Sequence, residues 1–580
     1  MGGPCSRARS PATAEVRVFM PSRSSLLSRS SEALLPGFSV ILGIALIAGP
    51  LVAMLVQSLT PAESSEGLVS VASFAAILGT RGIYDAILNT LVIGVAVTLF
   101  STILGFALAW VVTRTDLPGR HIFETLNLVP FFLSPYVGAI SWIYLAAPYG
   151  GLIHNSIERY FGLDVQLPSI YGLGGVIWVL TLFYAPYVYL FVIGPLRQMD
   201  GALEDAARVH GSSFLHTLWR VTLPLMAPAL MSGALIVFVT SAGLFDVPLA
   251  LSLPSGIPTV PTEIYKFVQY PTDFGRASSF GIAIVFVTVV LTLLQRRYVD
   301  RRRFDTVSGK GYRPRPAKLR GWAKFAALGL ELGYVGTAIV LPMLTLVLVS
   351  LSPIWTGVFE PARATLRNYD FVLFESVLAR DAIINSLVLA VGGASICVLL
   401  GLLQAHYLRV GSRKARATAD TILSFPLGIP PIIIGVAFLI IAVRTPLLGT
   451  LTLILIAYVA RFFAYATRSI SATMLSINPE LEESARCCGA NFLQSARYVA
   501  LPLLKPGLVA AWIMLAIIFV RELGATILLY TRGTETLSVA LLLLADRSTG
   551  YVAALAVIQV LLLGGAFALL RWFRVTTIEM

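Results

Sequence analysis

The sequence predicts an all-α, polytopic membrane protein of about twelve transmembrane helices, arranged as two parallel six-helix repeats. Three observations carry that prediction. The chain is 57% hydrophobic and 13% charged, with a mean hydropathy of +0.82, which leaves more apolar surface than a soluble core hides. The apolar residues fall in blocks of about 20, enough to cross roughly 30 Å of hydrocarbon as helix, and a helix satisfies its own backbone in lipid. The second half of the chain also repeats the first.

Taken in order, the candidate spans cover residues 36–58, 84–113, 122–147, 173–196, 225–250, 279–296, 325–351, 383–408, 420–443, 447–467, 503–530 and 551–571. Residues 1–30 read as a disordered basic tail with no signal peptide, and Met20 is an alternative start. Residues 31–296 form a first transmembrane domain, 297–324 a basic linker and 325–580 a second transmembrane domain. Pro130, Pro135, Pro426, Pro430 and Pro431 predict kinks in spans three and nine.

The net charge of +13 is a topology signal and gives no reason to expect a nucleic-acid partner. Basic residues crowd alternate loops: Arg114 and Arg120, the linker from Arg296 to Lys324, and Arg409, Arg413, Lys414 and Arg416. With twelve spans these fall on one side, which the positive-inside rule makes cytoplasmic, with both termini there. Anionic membrane lipid is a further expected contact of this face. Cys5, Cys397, Cys487 and Cys488 show no metal-ligand spacing, and His121, His154, His210, His216 and His406 are scattered. No metal site, catalytic constellation or Walker A pattern is present, so any ATP hydrolysis must come from other subunits.

The repeat is read at two offsets. Ile87-Leu88-Asn89-Thr90 resembles Ile383-Ile384-Asn385-Ser386 at an offset of 296, and residues 200–230 match 478–508 at an offset of 278. The drop places extra polar residues between Tyr149 and Gln166 of the first half. The best-matched segment is a loop between spans four and five of each half. One copy runs Leu203, Glu204, Asp205, Ala206, Ala207, Arg208 to Gly211 and on to Leu223-Pro224; the other runs Leu481, Glu482, Glu483, Ser484, Ala485, Arg486 to Gly489 and on to Leu501-Pro502. Asp200 and Asn478 are good N-caps, the acidic pairs suit a helix N-terminus, and the glycines suit a left-handed stop. Each copy therefore predicts a short helix of about ten residues, spanning 201–210 and 479–488. Its small residues leave room for a partner.

This duplicated loop resembles the EAA loop of permeases in binding-protein-dependent ABC importers. Asp205 stands where that family usually has Glu, and Ser484 where it usually has Ala. The resemblance implies a type I, MetI-like fold and an inner-membrane location. It implies ATPase coupling through Glu204, Asp205, Ala206, Ala207 and Gly211, and through Glu482, Glu483, Ser484, Ala485 and Gly489. The implied partners are two cytoplasmic ATP-binding subunits, which use ATP and Mg, and a periplasmic or lipid-anchored substrate-binding protein. No cofactor is expected on this chain. The segments Leu244–Pro248, Leu253–Thr259, Thr262–Tyr265 and Arg521–Leu529 together resemble fused permeases of ferric-iron importers. Thiamine permeases share the fused layout, and putrescine and phosphonate permeases share much of the local pattern. An ion-gradient-driven secondary transporter also accounts for the repeat, but not for the paired loops. Asp246, Arg521 and Glu522, within or near the ends of spans five and eleven, are costly against lipid. They are expected to meet across the pseudo-twofold axis, with Asp246 and Arg521 as a gate pair.

Overall fold

The computed structural model describes residues 23–60, 70–162, 168–301, 319, 321–478 and 480–572. Most of the N-terminal tail, the greater part of the basic linker, Pro479 and part of the extra segment after Tyr149 lie outside the described residues. The helices answer the periodic apolar blocks almost one for one. In the first half these are α1 (Arg23–Leu59), α2 (Arg81–Arg114), α3 (Arg120–Leu126), α4 (Pro135–Ala146), α5 (Leu152–Phe161), α6 (Leu173–Gln198), α7 (Ala202–Val209), α8 (Leu223–Gly243), α9 (Asp246–Leu251), α10 (Val260–Val268) and α11 (Phe274–Arg301). In the second they are α12 (Trp322–Val335), α13 (Leu341–Ser350), α14 (Val377–Val410), α15 (Arg413–Leu423), α16 (Pro431–Ala442), α17 (Leu451–Leu475), α18 (Glu480–Cys487), α19 (Leu501–Val520), α20 (Thr526–Leu529), α21 (Leu537–Ala545) and α22 (Thr549–Trp572). Helix α1 begins at Arg23, so the last residues assigned to the tail are helical.

Among the described residues, nine helices are long and apolar enough to cross a membrane. Spans three and nine are bent rather than straight. They turn by 98° between Phe132 and Pro135 and by 99° between Gly428 and Pro431, because proline lacks the N–H and clashes with the turn before it. Two contacts show that both bent segments still cross. The Arg114 guanidinium at the end of α2 donates to the Met199 carbonyl (3.0 Å), just past α6. Arg409 at the end of α14 pairs with Glu482 (2.7 Å), just past α17. In each half two successive full-length helices thus finish at one end of the molecule, and the chain between them must return to the other.

The repeat recurs in its contacts. A Cβ on Gly105 would lie 2.5 Å from the Ala185 carbonyl oxygen, and one on Gly401 would lie 2.7 Å from Ala466 Cβ. These equivalent glycines let α2 cross α6, and α14 cross α17, at backbone distance. Leucine at either position has no room to relax, and overpacking of this kind costs about 1–3 kcal/mol or more. Gly105→Leu and Gly401→Leu should each lower the yield of monodisperse protein severalfold, read by gel filtration of a fluorescent fusion. Asn89 donates to the Pro258 carbonyl and Asn385 to that of Glu535, each 2.9 Å. Thr90 and Ser386 accept from the amides of Val260 and Leu537. These side chains pin the start of α10 and of α21, nine-residue helices at equivalent positions.

The halves interlock. Helix α1 packs on α14, α16 and α17 of the second half, where Gln404 donates to the Ser39 carbonyl (3.1 Å). Helix α12 in turn lies on the first half: Tyr334 donates to the Leu182 carbonyl (3.0 Å), and Asn127 donates to the buried Glu331 carboxylate (2.9 Å). At the end opposite the short loop helices, the extra segment of the first half forms α5. It bridges to the second half through Trp355 to Gly150 O (2.8 Å) and Asn155 to Thr356 O (2.7 Å).

The tenth span runs on to Leu475, past its expected end at 467, and two others stop short. The fifth ends at Gly243 and the eleventh at Val520, each followed by a turn and a short helix, α9 or α20, where sequence predicts continuous helix to 250 and 530. The apolar run continues through the turn, so hydropathy alone gives no stop.

Candidate functional site

Helices α7 and α18 are the two matched loop helices, eight residues each rather than about ten. Asp200 Oδ1 accepts from the Ala202 amide (2.9 Å) and Asn478 Oδ1 from that of Glu480 (3.1 Å). These bonds satisfy N–H groups that a helix start leaves open. Gly211 and Gly489 close the helices at φ +83° and +89°, a region only glycine enters without strain.

The two acids of each pair face different ways, which the spacing did not reveal. Glu204 turns inward and accepts from the Thr222 hydroxyl (2.8 Å). Its counterpart Glu482 is held by Arg409 (2.7 Å). Asp205, Ala206, Glu483 and Ser484 are exposed, while Ala207 and Ala485 are half-buried. The Ser484 hydroxyl donates back to the Glu480 carbonyl (2.7 Å), so its outer face stays as low as an alanine's. What remains is a pair of short, small-residue ridges, each beside an outward carboxylate, Asp205 or Glu483, and flanked by Leu203 or Leu481, about half exposed; Glu480 adds a second exposed carboxylate at the start of α18.

The Leu-Pro pair downstream has its own physical account. Leu223-Pro224 and Leu501-Pro502 each follow a five-residue π-turn, Leu218–Thr222 and Ala496–Ala500. The proline ring excludes a regular turn before it, and the widened turn sends the Leu223 amide to the Leu218 carbonyl and the Leu501 amide to that of Ala496. Leu341-Pro342 follows a third such turn. The Leu-Pro spacing is therefore a legible mark of a π-turn, and it re-aims each loop helix beneath its span.

The second feature is a seam where the turns after α8 and α19 meet the bends of the opposite halves. Gly243 and Arg521 are repeat equivalents. A Cβ on Gly243 would stand 3.2 Å from Pro430 at the bend of span nine. Arg521 reaches the bend of span three, where its Nη1 donates to the carbonyls of Phe131 (2.7 Å) and Leu133 (2.9 Å). Those carbonyls need an outside donor because the helix stops there. Glu522 pairs with Arg461 (2.9 Å) and accepts from the Ala525 amide (3.0 Å). The expected Asp246–Arg521 pair is therefore not the one formed: the bend offers Arg521 bare carbonyls, and Glu522 finds its cation on α17. Asp246 is buried and lies within electrostatic range of Glu522, Arg461 and Arg521. Tyr184 and Tyr136 are buried nearby. Among the described residues no three His, Cys, Asp or Glu side chains gather in a way that could hold a metal ion.

Comparison with known proteins places these features in context. The family model described as "binding-protein-dependent transport system inner membrane component" matches twice, over residues 98–304 and 397–574. The chain is 24% identical over 469 residues to the ferric transport system permease protein FbpB of Actinobacillus pleuropneumoniae, covering 79% of this chain and 66% of that protein. It thus spans about two thirds of that relative's length. It is likewise 24% identical over 464 residues to a putative ferric transport system permease of Haemophilus influenzae, covering 79% and 72% of the two chains. A putative 2-aminoethylphosphonate transport system permease of Salmonella paratyphi A is 31% identical over 209 residues, covering 36% of this chain and 78% of that one. Among solved structures, a bacterial ABC transporter involved in the import of alginate aligns with a TM-score of 0.40 at 20% identity, over 49% of this chain and 97% of that one.

Proposed function

The chain belongs to the family of binding-protein-dependent transport system inner membrane components, with two copies fused in one polypeptide, and from that premise we propose that it carries ferric iron from an external binding protein into the cytoplasm, driven by two separate ATP-binding subunits. The similarity to ferric permeases over 79% of the chain, through both halves, supports the cargo. The phosphonate permease is more alike locally but matches only 36% of the chain, which makes phosphonate the second reading. The duplicated loop carries the energy-coupling claim. Each ATP-binding subunit receives one ridge, Asp205-Ala206 or Glu483-Ser484, held out by its cap and its left-handed glycine. No cofactor is bound by this chain, and ATP and Mg are used by the partners.

The loop end faces the cytoplasm, because Arg114, Arg120, Arg409 and Lys414 crowd it. The binding protein docks at the opposite end, where α5 ties the halves together. Closure of the ATP-binding pair draws α7 and α18 together. The seam at Arg521 and the two bends then parts, the path opens outward, and hydrolysis resets it. Interlocked helices α1 and α12 make each half move with part of the other.

The cargo is tested in proteoliposomes holding the permease, its ATP-binding subunits and its binding protein. Ferric iron, thiamine, putrescine and 2-aminoethylphosphonate are offered in turn. Accumulation of ferric iron alone is the expected result; accumulation of another cargo without iron overturns the iron reading.

A further inference from the structure

At the seam both halves offer the same position to the pseudo-twofold axis, and only one fills it. Asp246 and Gly524 are repeat equivalents at the offset of 278, and a Cβ on Gly524 would lie 3.8 Å from Asp246 Oδ1. Equivalent residues that meet mark the axis. The second copy is barred from carrying a side chain, since that same Cβ would stand 2.6 Å from Pro431 Cβ. The axis therefore passes beside a single carboxylate.

That carboxylate is unusually placed. Asp246 is 7% exposed and its Oδ1 has no hydrogen-bond partner. Its nearest cations are engaged elsewhere, Arg521 on two carbonyls and Arg461 on Glu522. A buried carboxylate oxygen without a partner is costly, and such groups persist where a ligand completes them. The Ser134 hydroxyl, in the bend of span three, is likewise buried without a partner. Tyr136, two residues on, is 3% exposed and within electrostatic range of Asp246. The groups left without a partner here, the Asp246 carboxylate and the Ser134 hydroxyl, are oxygens, as is the Tyr136 phenol, while the two guanidiniums within electrostatic range of Asp246 are held by other acceptors.

We propose that Asp246 is the transit site of the permease, a weak oxygen-donor site that takes the cargo cation as the seam parts. This rests on the ferric reading and adds the residue that meets the ion. Hard, highly charged cations prefer oxygen ligands. One carboxylate on the axis, in place of a chelating cluster, lets the ion enter and leave, as conduction requires. Fixed by the bar at Gly524, the site is asymmetric although the fold is a repeat.

The test uses the intact transporter in proteoliposomes, with binding protein loaded with radioactive ferric iron. Asp246→Asn keeps the shape and removes the charge. Its ferric uptake should fall about tenfold or more while ATP hydrolysis stimulated by the binding protein stays within about twofold, and Asp246→Glu should recover part of the uptake. Wild-type uptake by Asp246→Asn overturns the site alone. Loss of both uptake and stimulated hydrolysis in Asp246→Asn and Asp246→Glu overturns it as well, because the residue is then structural. A wild-type transporter that imports no ferric iron overturns the iron reading and this site with it.

Discussion

Proline at Gly211 or Gly489 abolishes ATP-driven uptake, about a hundredfold or more below wild type, while the chain still reaches the membrane in normal amount. The cause is conformational. Both glycines sit near φ +85°, at +83° and +89°, and proline is confined to about −65°. The loop helix then cannot end where it does, and its exposed ridge is turned away from the docking face proposed for it. The surroundings are not the obstacle, because a Cβ at either position meets nothing within 4 Å. A graded series follows. Asparagine, which visits the left-handed region with local hydrogen bonding, should keep most of the uptake; alanine, at a cost of about 1–2 kcal/mol, should keep part; proline should keep none. Membrane levels by immunoblot, with stimulated ATP hydrolysis beside uptake, separate lost coupling from lost protein. Equal uptake across the series removes the loops from the mechanism.

Arg521→Ala uncouples the transporter in the opposite sense: ATP hydrolysis in the absence of binding protein rises about tenfold or more, and cargo moved per ATP falls. Arg521 is the direct side-chain bond from the turn after α19 to the bend of span three, through the carbonyls of Phe131 and Leu133. Hydrogen bonds to a charged group contribute about 1.5–3 kcal/mol each. They hold the seam only while it is closed, so the loss of both shifts the balance toward the parted state by about a hundredfold or more. Lysine, a point charge without the planar fork, should give an intermediate effect. Unchanged basal hydrolysis in Arg521→Ala contradicts a closing role for the clamp.

The loops were almost wholly legible in the sequence, because caps, acids and a left-handed glycine are local signals whose physics does not depend on the rest of the fold. Even there, Glu204 and Asp205 looked alike; only packing against Thr222 told the inward acid from the outward one. The bends of spans three and nine were announced by their prolines, but an angle near a right angle was not, since proline fixes where a helix stops and not where the chain goes next. The interlock of α1 and α12 was invisible, as hydropathy reports that a helix is buried or in lipid and says nothing of which half covers it. The seam shows the same limit. Sequence placed Asp246, Arg521 and Glu522 together at the axis, yet paired the wrong two. The partners that decided the matter, the carbonyls at the bend and Arg461 on a neighbouring helix, become available only once the chain is folded.

The most direct test of the central claim, that this is the channel of an importer driven by ATP-binding subunits docked on its two loops, is cargo uptake by the reconstituted transporter with vanadate on one side of the comparison and a proton and sodium ionophore on the other. Uptake that requires ATP, stops with vanadate and survives collapse of the ion gradients is the predicted result. Uptake that ignores vanadate and stops with the ionophores would identify a gradient-driven carrier and contradict the account.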